Sequence, residues 1–404
     1  MKKAYLSRRI FPLRNEKGAV LVVGLFIILV LAILSVAAMM STGTELTIAS
    51  NDRSTKEAFY VAEAGSEEGR ARLQATSPSP ISDTQPNNVN WYAFIGTEAK
   101  SQGKGWQQSN SNHVRVVSLY PALNYVVTIT HKVVGGNIQR WGDSNNDGRP
   151  EENTTTGENI YVIISEGTTP IGAVKSVRAE CAKVAQITAP AALYTEALTT
   201  IQGTSTNVLG IDGVGCGGNS VPGIITRSTV NQNGGPTITG SPQAIYENSP
   251  MNIDVQYMVN QFKRIANYDL NWSGTYSGVH WGTPTPGANQ QSPSSCSEHN
   301  IVHINTSSSV IQLTGESSGC GILLVEGDLA VHGGFQWYGV IMVTGSLTFS
   351  GGGGKNVTGA VLVGGEVSAD LVGGDANIVY CSSAIRNQTD ELPLVTLRWV
   401  EMFS

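Results

Sequence analysis

Charge is scarce in this sequence: 14% of its 404 residues are Asp, Glu, Lys or Arg, and the formal net charge is −6. A chain this acidic, and this poor in basic runs, is not built around nucleic acid. No block of like charge resembles a disordered acidic tail. Histidine is limited to six residues and no C-x-x-C occurs among the five cysteines, which argues against structural zinc. Glycine is in excess, at 46 residues, where the usual level is about 7%. The combination describes folded, loop-rich or β-rich material. At roughly 100–200 residues per domain the length suggests two or three domains.

What charge there is lies unevenly. Lys2, Lys3, Arg8, Arg9, Arg14 and Lys17 face a single acid, Glu16, within the first 18 residues, while the remainder is strongly acidic. Ala19 to Met40 then runs without a charge, and the next ionisable side chain is Glu45. As a helix this run is about 33 Å long, which matches a hydrocarbon core of roughly 30 Å. Basic residues before the span and acidic ones after it predict a cytoplasmic N-terminus. A cleaved secretory signal is the alternative, but its apolar region is usually about 7–15 residues. The helix does not stop at the membrane surface. No proline occurs from Glu45 to Leu73, and Leu46, Ala49, Ala58, Val61, Ala62 and Leu73 keep near-helical spacing until Pro78 and Pro80 end the element.

The segment EKGAVLVVGLFIILVLAILSV, followed by Ser50-Asn51-Asp52 and by AFYVAEAGSEEGRARL at 58–73, resembles the N-terminal region of PilX-type accessory (minor) pilins of type IV pilus assembly. The likeness covers about residues 14–74. It implies a prepilin-like subunit whose leader is cut by prepilin peptidase between Gly18 and Ala19, and whose helix packs against other pilin-like subunits. Major pilins carry Glu as the fifth mature residue, and here that position is Val23. Members of the PilX-type group commonly lack this acid as well, so its absence speaks against a major pilin. An acid buried in lipid must find a partner or be costly, and without it the subunit fits a tip or initiation position.

Residues 81–110 read as a connecting region rich in Ser, Asn, Gln and Gly. Runs at 114–120, 124–134, 159–167 and 173–187 predict a four-stranded antiparallel sheet packed on the outer half of the helix. Between the second and third runs, Asp143, Asn145, Asp147 and Glu151 supply oxygen at positions 1, 3, 5 and 9, with Gly148 at 6, as a calcium loop requires. Position 12 is Thr154 rather than a bidentate Glu, and a plain Asp/Asn/Gly hairpin loop uses the same residues.

From Ala189 onward short apolar runs are punctuated by Gly, Ser, Thr and Asn. GILLVEGDL (321–329), GVIMVTGSL (339–347) and GAVLVGGEV (359–367) align, with starts 18 and 20 residues apart. A turn-strand-turn repeat of that length predicts the coils of a β-solenoid. Val208–Ile211, Ile224–Ile225 and Val302–Ile304 are candidate degraded rungs, interrupted by a helical stretch at 251–266. Gly351–Gly354 reads as a loosened corner or a flexible tip loop. Cys296 with Cys320 is a reasonable disulfide, although connectivity is not readable from sequence.

Enzyme signatures mostly fail. Gly213-Val-Gly215-Cys-Gly-Gly218 lacks a βαβ setting. Glu326 and Asp328, at i and i+2 on one face of a strand with His332 nearby, are a conceivable acid–base pair, but the favoured reading is a solvated turn just past Val325. Phe335, Trp337 and Tyr338 are a candidate recognition patch, with burial as capping core the favoured reading.

The expected architecture is α+β: a basic cytoplasmic leader at 1–18, a pilin-like helix at 19–76 with its span at 19–40, a small antiparallel β head at 77–188, and a β-solenoid-like outer domain at 189–404. The expected function is non-enzymatic, that of an accessory pilin at initiation or at the tip, with calcium as the sole candidate cofactor. Expected partners are other pilin-like subunits, inner-membrane lipid and prepilin peptidase. The alternatives are a type II secretion pseudopilin and a membrane-anchored adhesin or glycan-active β-helix protein.

Overall fold

The computed structural model describes residues 17–76, 80–83, 86–96, 106–109, 117–119, 123–289, 292–367, 370–390 and 392–402. Helix α1 (Lys17–Leu73) is a single element of 57 residues, about 85 Å long. None of residues 20–53 is buried. Hydroxyl groups within this stretch satisfy themselves against the preceding turn: Ser35 donates to Leu31 O at 2.8 Å, Thr42 to Ala38 O at 2.9 Å and Thr47 to Gly43 O at 2.9 Å. Such internal pairing is what a helix needs where no water is at hand.

Beyond residue 53 one face of α1 docks on a sheet through small residues. Ser54, Ala58, Ala62, Gly65 and Gly69 follow one another at helical spacing along that face. A methyl group at Gly65 would lie 2.4 Å from Ser165 Oγ, and one at Gly69 3.2 Å from Ile163 Cγ2. The sheet reciprocates, since a methyl group at Gly167 would lie 2.3 Å from Ala58 O. Helix backbone and sheet backbone are therefore nearly in touch. Ser54 Oγ closes the lower end of the contact against Thr169 Oγ1 at 2.7 Å.

That sheet is antiparallel and has seven strands among the described residues, not four. Its order is Trp106–Ser109, Tyr92–Gly96, Leu123–His131, Tyr161–Thr168, Val174–Ala182 and Val395–Met402, with Val117–Leu119 also paired to Leu123–His131. Two strands come from the supposed connecting region. Of the predicted first strand, only 117–119 lies within the described residues. The strand at 395–402 comes from the far end of the chain and pairs with 174–182, Cys181 opposite Thr396 and Ser176 opposite Met402. Residues 395–402 thus belong to the head, which corrects the boundary drawn from 189 to 404. Their attachment is specific: Lys175 pairs with Glu401 at 2.5 Å, Arg70 Nη2 reaches Leu394 O at 3.3 Å, and Trp399 meets Phe59 edge-on at 6.0 Å.

Between these two passes through the head the chain forms a curled, parallel, solenoid-like sheet of 17 strands among the described residues. The three sequence repeats stack in register, Gly321 beside Gly339 beside Gly359, and Val325 beside Val343 beside Val363. Their leading glycines have φ of +121°, +127° and +138°. Each also faces the rung before it so closely that a methyl group at Gly339 would lie 2.0 Å from Gly321 O. The repeat begins with glycine because no other residue fits there.

The rungs are not laid down in chain order. Leu193–Thr195 pairs with Ile224–Thr226, which pairs with Ile245–Tyr246 at one end of the stack. Helix α2 (Val255–Phe262) then leads to the opposite end, where Tyr268–Asn271 restarts the stack beside Asn300–Thr314. Successive rungs return until Val361–Val363 closes against the other side of Leu193–Thr195. The aliphatic residues of all rungs form one core cluster.

One acid points into that core. Asp370 is 1% exposed; its Oδ1 accepts from Leu347 N at 2.8 Å, while Oδ2 has no partner among the described residues. Burial pushes its pKa up from 3.8 to about 7. Folding therefore retains a proton that the unfolded chain gives up, so this site's stabilisation is fully present below pH 3.8 and is lost as the pH rises through about 7.

Two outcomes follow for thermal and denaturant unfolding of the detergent-solubilised chain. Gly339→Ala should cost at least about 2 kcal/mol, whereas Gly352→Ala, with nothing within 4 Å, should be close to neutral. Asp370→Asn should stabilise the protein at pH 8 by on the order of a few kcal/mol and have little effect at pH 4; equal effects at both values would contradict the raised pKa.

Candidate functional site

Two regions stand apart from the packed interior: the bare part of α1 and the acidic loop that joins head to outer sheet. The first is an uninterrupted apolar surface. Val20, Leu21, Leu25, Ile28 and Met39 are each more than 60% exposed, and Val23, where an acid would stand in a major pilin, is exposed with them. Gly18 and Ala19 lie within the first turns of α1. Such a helix can give its surface only to lipid or to other apolar helices. Past the span, Lys56–Asp52, Arg53–Glu57 and Arg72–Glu68 are ion pairs four residues apart that lace its wetter half.

The acidic loop leaves the short strand Arg140–Gly142 and returns as Glu151–Asn153. Carboxylate oxygens of Asp143, Asp147 and Glu151 come within 4.8 Å of one another. Asp143 also accepts from Asp147 N at 3.0 Å, Gly148 N at 2.7 Å and Thr188 Oγ1 at 2.5 Å. Asn145 Oδ1 accepts from Asp147 N at 3.1 Å, and Glu151 Oε1 from Ser144 N at 2.9 Å. Asp143 Oδ2 and Glu151 Oε1 each already accept two bonds, whereas Asp143 Oδ1 and Asn145 Oδ1 accept one each from Asp147 N and keep a lone pair for a hard cation. Gly148, at φ +82°, makes the turn that brings the acids together.

The loop has a mechanical role that its sequence did not disclose. Asp147 O accepts from Asp254 N at 2.7 Å, and Asp254 caps α2 by accepting from Tyr257 N at 2.7 Å. Arg149 pairs with Asp254 through Nε at 2.8 Å and lies 5.4 Å from the centre of the Tyr257 ring. The loop is thus bolted to the start of the helix that crosses the outer sheet. A cavity of about 390 Å³ beside it is bounded by Trp141, Asp143, Met258, Phe262 and Thr396.

The remaining sequence candidates separate in space. Cys296 is bonded to Cys320, and a second disulfide joins Cys216 to Cys381 across 165 residues. Cys181 is left as a buried thiol. Phe335, Trp337 and Tyr338 are 1%, 1% and 6% exposed, so they fill the core and form no recognition patch; Phe335 stacks on Trp337 at 6.2 Å. Glu326 and Asp328 do not share a face, because Gly327 between them turns the chain at φ +124°. Glu326 is held by Lys263 at 2.8 Å and His303 at 3.0 Å, whereas Asp328 accepts from Ser346 N at 2.7 Å. His332 bonds Ser350 Oγ at 2.8 Å. Gly351–Gly354 is tied down rather than loose. The fully buried Lys355 donates from Nζ to Gly351 O at 2.5 Å, Gly353 O at 2.8 Å and Gly374 O at 2.5 Å.

Comparison with known proteins locates the relationship in the helix. Residues 17–67 match the family model described as PilX N-terminal. No curated protein sequence matches the chain. A solved structure, the competence-associated pilin ComZ from Thermus thermophilus, aligns with 86% of this chain and 98% of its own at 11% identity, with a TM-score of 0.22. A score that low carries no argument about the fold.

Proposed function

We propose that the chain is an accessory (minor) pilin-like subunit that enters type IV pilus assembly through α1, at initiation or at the tip. The observation that carries this reading is the coexistence on one helix of a PilX-type sequence at 17–67 and an apolar surface left bare from residue 20 onward. In this reading the basic leader stays in the cytoplasm and is removed by prepilin peptidase between Gly18 and Ala19, and the span rests in inner-membrane lipid until other pilin-like helices replace it. The role is mechanical and not enzymatic. A bulky outer sheet suits the end of a filament, where no subunit above it must be accommodated.

Calcium at Asp143, Asn145, Asp147 and Glu151 belongs to the same reading. The loop holds the head hairpin against α2, and a divalent ion there would stiffen that joint by offsetting the repulsion of three acids.

The mature N-terminus, determined by mass spectrometry after expression with and without prepilin peptidase, tests the assignment. An N-terminus at Ala19 that depends on the peptidase is expected, and an uncut chain would overturn it. The protein should then occur in sheared pili; confinement to the periplasm would favour the pseudopilin. Adding about 2 mM Ca²⁺ should raise the melting temperature by a few degrees, more than Mg²⁺ does, and Asp147→Asn should abolish the rise. Equal melting curves would reduce the loop to a turn.

A further inference from the structure

One side of the outer stack carries an aligned column of polar side chains. Register places His280 beside Ser318, Ser318 beside Gln336, Gln336 beside Asn356, Asn356 beside Asn377, and Asn377 beside Asn207. Neighbours in such a column stand about 4.8 Å apart. Two parts of it are internally bonded: Asn207 Nδ2 donates to Asn377 Oδ1 at 2.6 Å and Asn377 Nδ2 to Asn356 Oδ1 at 2.9 Å, while His280 bonds Ser318 Oγ at 2.9 Å. Gln336 sits between them, half-buried, and its amide has no hydrogen bond among the described residues.

Hollows flank this point on both sides. One of about 650 Å³ is bounded by Glu316, Ser318, Gly334, Gly353 and Gln336; another, of about 240 Å³, by Pro286, Ser294, Thr358 and Asn377. Gln336 and Asn356 line both, so the two hollows form the two flanks of a groove centred on these side chains. Part of its wall is bare backbone, at Gly334, Gly353 and Gly354. A methyl group at Gly353 would lie 2.8 Å from Gly334 N. The buried Lys355 fixes the carbonyls behind that wall, so its charge is consumed inside and does not face the groove.

We infer that this groove binds a neutral, extended oligosaccharide. Its lining supplies amides, hydroxyls and peptide groups, and among the described residues no Lys or Arg side chain reaches it. An anionic ligand would find no cation and would meet Glu316, which is exposed at the rim in a left-handed conformation, φ +58°. An extended peptide would need an unpaired strand edge, and the central strands of this face are paired on both sides. Sugar hydroxyls suit the site because each can donate and accept. The rung spacing is also close to the length of one unit in an extended sugar chain. Gln336 would bond the central unit, Glu316 would accept from a hydroxyl at the rim, and the glycine wall would let the ring lie close to the backbone. The inference is independent of how α1 assembles.

Calorimetric titration of the full chain in detergent with a panel of neutral hexasaccharides (cellohexaose, xylohexaose, mannohexaose, chitohexaose) and with hexagalacturonate tests it. At least one neutral sugar should bind with Kd below about 1 mM, and Gln336→Ala and Glu316→Ala should each weaken binding about five-fold. Both side chains point outward, so unchanged melting curves would separate lost binding from lost fold. Absence of binding across the neutral panel, equal binding of hexagalacturonate, or affinity indifferent to both substitutions would each overturn the proposal.

Discussion

The close docking of the outer half of α1 on the head sheet is the contact from which the rest of the molecule hangs. It works because side chains have been removed from both partners. Ala58, Ala62 and Gly65 on the helix meet Gly167 and Ser165 on the sheet at distances that admit no further carbon, and Gly69 lies close over Ile163 and Val127. Dispersion forces fall steeply with separation, so this approach recovers over a long strip what larger side chains provide elsewhere. It also fixes direction: the bare apolar half of the helix must project from the base of the head. The sheet on top then accepts Val174–Ala182 and Val395–Met402 side by side, and the outer sheet is the excursion between them.

The same device recurs in the outer sheet with different chemistry. There a column of glycines lets rung approach rung, and the positive φ values would tax any other residue. Both contacts show why glycine is abundant in this chain. It is concentrated where backbone meets backbone, and a composition read only as flexibility would have missed that. Gly351–Gly354 makes the point from the other side: the carbonyls of Gly351 and Gly353, with that of Gly374, are held by a single buried ammonium group.

What the sequence disclosed follows from range. The span, the length of α1 and the glycine-led repeats are local patterns, visible in periodicity and in the absence of charge. The strand at 92–96 was hidden by polar neighbours, and the strand at 395–402 was hidden because its partner lies at 174–182 and its burial does not alternate cleanly. Asp143, Asp147 and Glu151 were readable as a group, since turn chemistry is local. Their bond to Asp254 and α2 was not, and neither was the convergence of Glu326 with His303 and Lys263. Phe335 and Trp337 can be read from the letters alone as an exposed patch or, the favoured reading, as capping core. Only the stacking of neighbouring rungs puts them inside.

The out-and-back order of the rungs has a kinetic consequence. Leu193–Thr195 emerges early yet remains open on one side until Val361–Val363 arrives, and Val174–Ala182 waits for the last strand of all. The disulfide across 165 residues joins the same two passes. A chain made from its N-terminus therefore carries two unfinished sheet edges through much of the second half of its synthesis. Pairings this distant close slowly, and exposed edges invite foreign strands. Loss of Val395–Met402 would leave the head incomplete, and a cut before Val361 would open the middle of the outer stack as well, so each structure has its own late-arriving keystone.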